Sequence, residues 1–265
     1  MENPRILLWD LETSHLEVLT FGLFKQNIPH TNIRINRHLY CASYRWYGEK
    51  KTHTISILDD PDRFKKDHHD DYYIVKELRK VLVKAHAQVA HYGDKFDLRV
   101  FNERLIYHGL KPLPKLISMD TCKLARKHFG FPSNKLDFIA QFLGHKGKIV
   151  NQTNLWHKCW DGDEKALKHM ARYNRRDIDA LHYVFERMIP FETNNPMNAG
   201  LFYERLMDEH NIEVPRCVNP TCASLKVIKK GFQLTRIGKY QRYQCTDCGS
   251  WCNERTAKSK GIPVK

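Results

Sequence analysis

The octapeptide Ile6-Leu7-Leu8-Trp9-Asp10-Leu11-Glu12-Thr13 constrains this chain more than any other stretch. A short apolar run that breaks at two carboxylates spaced i, i+2 reads as a buried strand with an acidic end. Side chains two apart on a strand point to one face, so Asp10 and Glu12 project together. Like charges held that close repel, and burying them is costly unless a cation neutralises them. A solvated strand end explains the octapeptide taken alone equally well. Later motifs have to decide between the two.

Three further strand-like runs follow, Glu17 to Phe24, Leu39 to Tyr47 and Thr52 to Leu58, close enough in the chain for an antiparallel meander on the first strand. Asp60 to Asp71 is charged and reads as a loop. Apolar residues at helical spacing predict helices from Tyr73 to Ala85 and from Asp97 to Leu110. Short strands are expected at Val89 to Tyr92 and Lys115 to Met119. Further helices are expected from Thr121 to His128, from Lys135 to Leu143 behind an N-cap at Ser133, and from Asp161 to Met188 with a boundary near Gly162. Strands giving way to alternating helix and strand predict α/β layers around a mixed sheet flanked by helices. That domain is expected over residues 1–190, a linker with a short helix near Leu201 to His210 over 191–214, and a cysteine-rich module over 215–265.

Two later motifs carry carboxylates. In His91-Tyr92-Gly93-Asp94-Lys95-Phe96-Asp97, a glycine turn after a strand brings Asp97 to a helix start near the carboxyl edge of the sheet. A plain helix cap is the alternative role. In Tyr173-Asn174-Arg175-Arg176-Asp177, spacing i, i+4 places Tyr173 and Asp177 on one helical face. An ion pair with Arg172, Arg175 or Arg176 is the alternative for Asp177, and Asp179 points elsewhere as a solvated group.

Together, Asp10, Glu12, Asp97 and Asp177 resemble the acidic quartet of the DEDD superfamily of 3′-to-5′ exonucleases, in motif order and in separation over residues 5 to 190. Tyr173, four residues before the last acid, matches the tyrosine branch; the histidine branch has His where Arg172 stands. One departure is Tyr92, where the family often has Asn in a His-Asn-Gly turn. The resemblance implies a ribonuclease H-like fold and hydrolysis of phosphodiester bonds at a nucleic-acid 3′ end, with DNA favoured. It also implies two catalytic Mg²⁺ or Mn²⁺ ions: Asp10 bridging them, Glu12 and Asp177 on the ion carrying the nucleophile, Asp97 on the other, and Tyr173 orienting the water. Independently, an all-oxygen donor set selects such hard ions, and a pair of them about 4 Å apart suits in-line phosphodiester cleavage.

Charge points the same way. Lys and Arg total 44 against 30 Asp and Glu, a formal net charge of +14, which favours a polyanionic partner. No apolar run approaches the roughly 20 residues of a membrane span, and the N-terminus lacks the form of a signal peptide. Nucleic acid, rather than a membrane, is the expected partner and the interior of a cell the expected location.

Five of the eight cysteines crowd the C-terminal fifth, which in a chain without an export signal favours metal over disulfides and a reducing compartment. Cys217-(x4)-Cys222 and Cys245-x-x-Cys248 approach the four-cysteine tetrahedral Zn²⁺ pattern and look like the two knuckles of a zinc ribbon, with Cys252 a spare or substitute ligand. Between them lie Lys226, Lys229, Lys230, Arg236, Lys239 and Arg242, interleaved with Phe232, Tyr240 and Tyr243. Cations on phosphates with aromatics on bases suit nucleic-acid binding; a solvated ribbon whose aromatics fill its own core is the alternative. The leading expectation is therefore a metal-dependent 3′-to-5′ exonuclease carrying a nucleic-acid-binding zinc ribbon. An RNA-processing or structure-selective nuclease, or a non-catalytic zinc-ribbon protein, are the other readings. His91 and His169 read as surface or packing residues.

Overall fold

A computed structural model describes residues 5–145 and 154–192 and, toward the C-terminus, 217–219, 222, 224, 226–234 and 239–253. Its centre is strand β1 (Ile6–Thr13). A ribbon of β2 (Glu17–Val18) and β3 (Ile33–Ile35) comes next, then β4 (Leu39–Trp46) and β5 (His53–Ser56). Helices α1 (Pro61–Lys66) and α2 (Tyr72–Leu82) lead to β6 (Ala87–Ala90), α3 (Asp97–Tyr107), β7 (Ile117–Asp120) and α4 (Thr121–His128). Then follow α5 (Leu136–Phe142), α6 (Leu155–Trp160) and α7 (Glu164–Met188). The sheet runs β5-β4-β1-β6-β7, with β5-β4-β1 antiparallel and β1-β6-β7 parallel. This is the mixed α/β sheet flanked by helices that the sequence predicts.

Strand alternation decides where the acids go. Leu7, Trp9 and Leu11 pack into the core beneath α2 and α3, with the Trp9 indole donating to Gln88 at 2.7 Å. Ile6 and Leu8 face the other way, onto Ile178, Leu181 and Phe185 of α7. Asp10 and Glu12 continue that second face, so the apolar stripe that seats α7 runs directly into two carboxylates.

Several local expectations are corrected. Glu17 to Phe24 is not a sheet strand: both edges of β1 are taken by β4 and β6, and only the short β2–β3 ribbon forms. Beyond it the Thr20 hydroxyl donates to the Gly22 carbonyl in a local turn, leaving Phe21, Leu23 and Phe24 exposed. Within Asp60 to Asp71 a helix forms, because Asp60 accepts from the Arg63 N–H, Pro61 opens the first turn, and Arg63, Lys65 and Lys66 sit at the negative C-terminal end. Ser133 is not the cap of α5; that position is Lys135, whose N–H donates to the Ser133 hydroxyl at 3.4 Å. Helix α6 was not expected. Gly162, in the left-handed region at φ +75°, separates it from α7 as the sequence predicts.

Asp71 is fully buried, and pins α2 to α3 and β4. It accepts from Arg104 through two 2.8 Å bonds, from His108 at 2.6 Å and from the Leu39 N–H at 2.8 Å. Burial alone would raise this carboxyl, but those donors outweigh it and hold it below the usual range.

In the C-terminal segment β8 (Val227–Leu234), β9 (Lys239–Cys245) and β10 (Trp251–Asn253) form a three-stranded antiparallel sheet. Past Glu192 the linker and its expected helix lie outside the described residues. Among the described residues no helix is long and apolar enough to cross a membrane.

Candidate metal and active site

Beyond Leu8, β1 outruns its partner β6. The Leu11 N–H donates instead to Asp97 Oδ1 at 3.1 Å, so a carboxylate at the start of α3 is held beside the strand end. The loop that delivers it is tightly specified. Tyr92 sits in the left-handed region at φ +62°, where Asn is the usual non-glycine residue. Its N–H donates to Asp120 at 2.9 Å, and His91 is tied to the Thr121 hydroxyl and the Asn134 carbonyl. A Cβ on Gly93 would stand 2.3 Å from that of Ala90, so only glycine fits. Gly93→Ala is expected to destabilise the fold by about 1–3 kcal/mol; an unchanged urea midpoint would show that the turn tolerates a side chain.

Helix α7 supplies the other wall. Carboxylate oxygens of Asp10, Glu12 and Asp177 lie within 4.8 Å of one another. Asp97 joins them electrostatically rather than as a member of that tight set: its charge acts on both Asp10 and Glu12. Tyr173, on the same face of α7 as Asp177, packs against Trp156 at 6.3 Å between ring centres. Asp179 is turned away as expected, but instead of being a solvated group it pairs with Arg45 on β4.

Sequence reading missed one member, Asn174. It is fully buried, and its Nδ2 donates to Asp10 Oδ2 at 2.7 Å while its Oδ1 has no hydrogen-bond partner. The available signal was its place inside the Tyr173–Asp177 motif, on the face that α7 turns to β1.

Burial first, then repulsion from Asp97, Glu12 and Asp177, raises Asp10 well above the carboxylate range; the Asn174 amide opposes this. Glu12 is pushed up to about 8 by burial and by the charges of Asp177 and Asp97. Burial takes Asp97 to about 7 against the stabilising N–H bonds. A cation removes this penalty, and the oxygen donors with the orphaned Asn174 carbonyl beside them fit Mg²⁺ or Mn²⁺.

A pH dependence follows. Carboxyls raised by folding stabilise the metal-free protein when protonated, and that stability is lost as pH rises through their folded values, about 7 to 8. Histidines 38, 69 and 91, lowered by burial, act below that window. In chelator the melting temperature is therefore expected to fall between about pH 6.5 and 8.5, and Mg²⁺ to flatten the fall; parallel curves with and without Mg²⁺ would contradict it.

The sulfurs of Cys217, Cys222, Cys245 and Cys248 also converge within 4.8 Å. Hairpin geometry builds the two pairs: Cys217 N–H donates to Ser224 O, Cys245 N–H to Ser250 O, and Gly249, at φ +75°, closes the second turn. Such a set fits Zn²⁺. Burial opposes ionisation of Cys248, yet the Ser250 donors bring it down to about 7. Cys252 is a spare, buried with Val218 and Tyr243 in the module's own small core. The aromatics thus divide, since Phe232 is exposed. Lys226, paired with Asp247 at 3.5 Å, and Lys229 and Lys230 are exposed; Tyr240 is half-buried and Arg242 lies over Trp251. Lys239 contributes backbone to β9, and Arg236 lies outside the described residues.

The chain is similar to several known proteins. The chain is 27% identical over 147 residues to the PolC-type DNA polymerase III of Ureaplasma parvum, a match covering 53% of this chain and a tenth of the polymerase. In fold it resembles the family B DNA polymerase of the archaeon Pyrobaculum calidifontis, with a TM-score of 0.52 at 13% identity, over 72% of this chain and a quarter of that one. The RNase_H_2 model matches residues 35–189, a span that holds Asp97, Tyr173 and Asp177, and the chain belongs to the RNase H superfamily.

Proposed function

We propose that this protein is a metal-dependent 3′-to-5′ exonuclease acting on DNA, with a C-terminal zinc ribbon over residues 215–265 that grips the substrate. The observation that carries the reading is the convergence of Asp10, Glu12 and Asp177, with Asp97 bonded beside them, from three separated chain segments. Superfamily membership supports a nuclease, and the similarity to a DNA polymerase of PolC type supports DNA.

Two divalent ions held there would supply an activated water and charge stabilisation of the leaving oxygen. Asp10, fixed by Asn174, would be shared by both ions, Glu12 and Asp177 would hold the one on the nucleophile side, and Asp97 would help hold the other. The Tyr173 hydroxyl would orient the attacking water, the role that the resemblance to the tyrosine branch of the DEDD exonucleases implies. One Zn²⁺ on the four cysteines folds the ribbon, and Lys226, Lys229, Lys230, Arg236, Lys239, Tyr240 and Arg242 meet phosphates and bases. The protein's site of action would be inside the cell, in a reducing compartment.

Incubating the protein with 3′- and 5′-labelled DNA and RNA, with and without Mn²⁺, tests the reading. Metal-dependent mononucleotide release from the 3′ label, faster on DNA, is expected. Release first from the 5′ label, or no hydrolysis of either polymer, would overturn it.

A further inference from the structure

A separate donor cluster lies outside both sites described above. Asp67, His68 and His69 each place a ligand atom within 4.8 Å of the others, in the loop between α1 and α2. That loop is held at both ends. Its first residue accepts from the His69 N–H through Asp67 Oδ1 at 2.9 Å, and its carbonyl accepts from the Asp70 N–H at 3.1 Å. At the far end Asp70 pairs with Arg63 at 2.7 Å, and the buried Asp71 follows immediately.

Two other chain segments close on the same point. His38, just before β4, is 2% exposed and meets the His69 ring edge-on at 4.8 Å between centres. Trp160, at the end of α6, lies 4.8 Å from His69 and 5.6 Å from His38. Gly162 backs His68 so closely that an added Cβ would stand 3.2 Å from its ring.

Ring stacking accounts for part of this packing. It does not fully account for the nitrogens: both ring nitrogens of His38 and Nε2 of His69 are buried without a hydrogen bond of normal geometry, with only the Asn36 backbone near His38 and the Trp160 backbone near His69 as polar neighbours. Buried polar atoms are normally paired, and leaving them unpaired is costly. Imidazole with a single carboxylate is the donor set of borderline ions such as Zn²⁺, unlike the all-oxygen set of the acidic pocket.

We propose that Asp67, His68 and His69 form a transition-metal site for Zn²⁺ or a similar borderline ion, with His38 the further imidazole poised against it. Bound there, with His38 engaged, the ion ties the α1–α2 loop to the segment entering β4, while Trp160 packs against both. The site is independent of the nuclease reading.

The test uses the full chain, stripped with chelator, reloaded with Zn²⁺ in buffer holding millimolar Mg²⁺ to occupy the oxygen pocket, and desalted before elemental analysis. Two Zn²⁺ per chain are expected. His69→Gln should retain one, as should Asp67→Asn, whose side chain is 59% exposed and can be replaced without disturbing the core. Zn²⁺ affinity at this site should fall at least by the roughly 10–100-fold that loss of even an outer-shell partner costs. Cys217→Ser should remove the other equivalent independently. Equal Zn²⁺ content in wild type, Asp67→Asn and His69→Gln would overturn the proposal, as would a wild type holding one equivalent that Cys217→Ser abolishes.

Discussion

Asparagine in place of Asp10 is expected to lower the rate of phosphodiester hydrolysis by at least about 10³-fold, roughly 4 kcal/mol of transition-state stabilisation. The same change should raise the melting temperature of the chelated protein at pH 8 by about 2–4 °C, the shift that roughly 1 kcal/mol produces in a domain of this size. Both follow from one arrangement. Asp10 is half-buried beside Asp97, Glu12 and Asp177, and desolvation together with their charges raises its pKa well above the ordinary value. Without a cation its charge is a liability to the fold, and with one it is a ligand. An amide removes both the repulsion and the ligand while keeping the size and the neighbour Asn174. Mg²⁺ should stabilise the wild type and leave the variant unmoved. A variant hydrolysing within tenfold of wild type would remove Asp10 from the machinery; a lowered melting temperature would mean that Asp10 is structurally required instead.

The second large effect belongs to the cysteines. Cys245→Ser should abolish Zn²⁺ binding at the four-sulfur set and unfold the β8–β10 sheet, whose core is little more than Val218, Tyr243 and Cys252 with Val227 against them. Metal binding at such sites contributes on the order of 10–16 kcal/mol, and it is folding free energy. Residues 5–192 have their own core and should keep their melting transition. Affinity for single-stranded DNA should drop, and with it the salt dependence contributed by the exposed Lys226, Lys229 and Lys230. Circular dichroism, zinc content and binding at two salt concentrations check this together. Unchanged affinity after loss of zinc would make the ribbon a structural appendage.

Much of the site was legible because it follows from periodicity. The i, i+2 spacing of Asp10 and Glu12 and the i, i+4 spacing of Tyr173 and Asp177 fix which faces they occupy. The apolar stripe through Ile6, Leu8 and Ile178 brings those faces together. Asp97 was legible from the glycine turn before it. Asn174 was not, since a buried amide bonded to a carboxylate 164 residues away leaves no local pattern. Nor was the support under the turn: Tyr92 at positive φ is an unfavourable local choice, outweighed by the Asp120 carboxylate, which accepts from it and from the first turn of α4.

The fold shows the same division. Strand β1 and its neighbours β4 and β6 were readable, because both faces of β1 are buried up to the acids. The stretch through Phe21, Leu23 and Phe24 misled, since a β-like composition cannot say whether any strand edge is left to receive it. Helix α1 was obscured by its charge, although Asp60 and Pro61 carry the start signal.

The most direct measurement is crystallographic: the protein with Mn²⁺ and a mononucleotide, and the manganese located by anomalous scattering. Peaks bounded by Asp10, Glu12, Asp97 and Asp177, with the nucleotide phosphate against them and Tyr173 facing it, are the predicted result. Manganese bound elsewhere, with those four side chains repelled apart and the nucleotide absent from the pocket, would contradict the account.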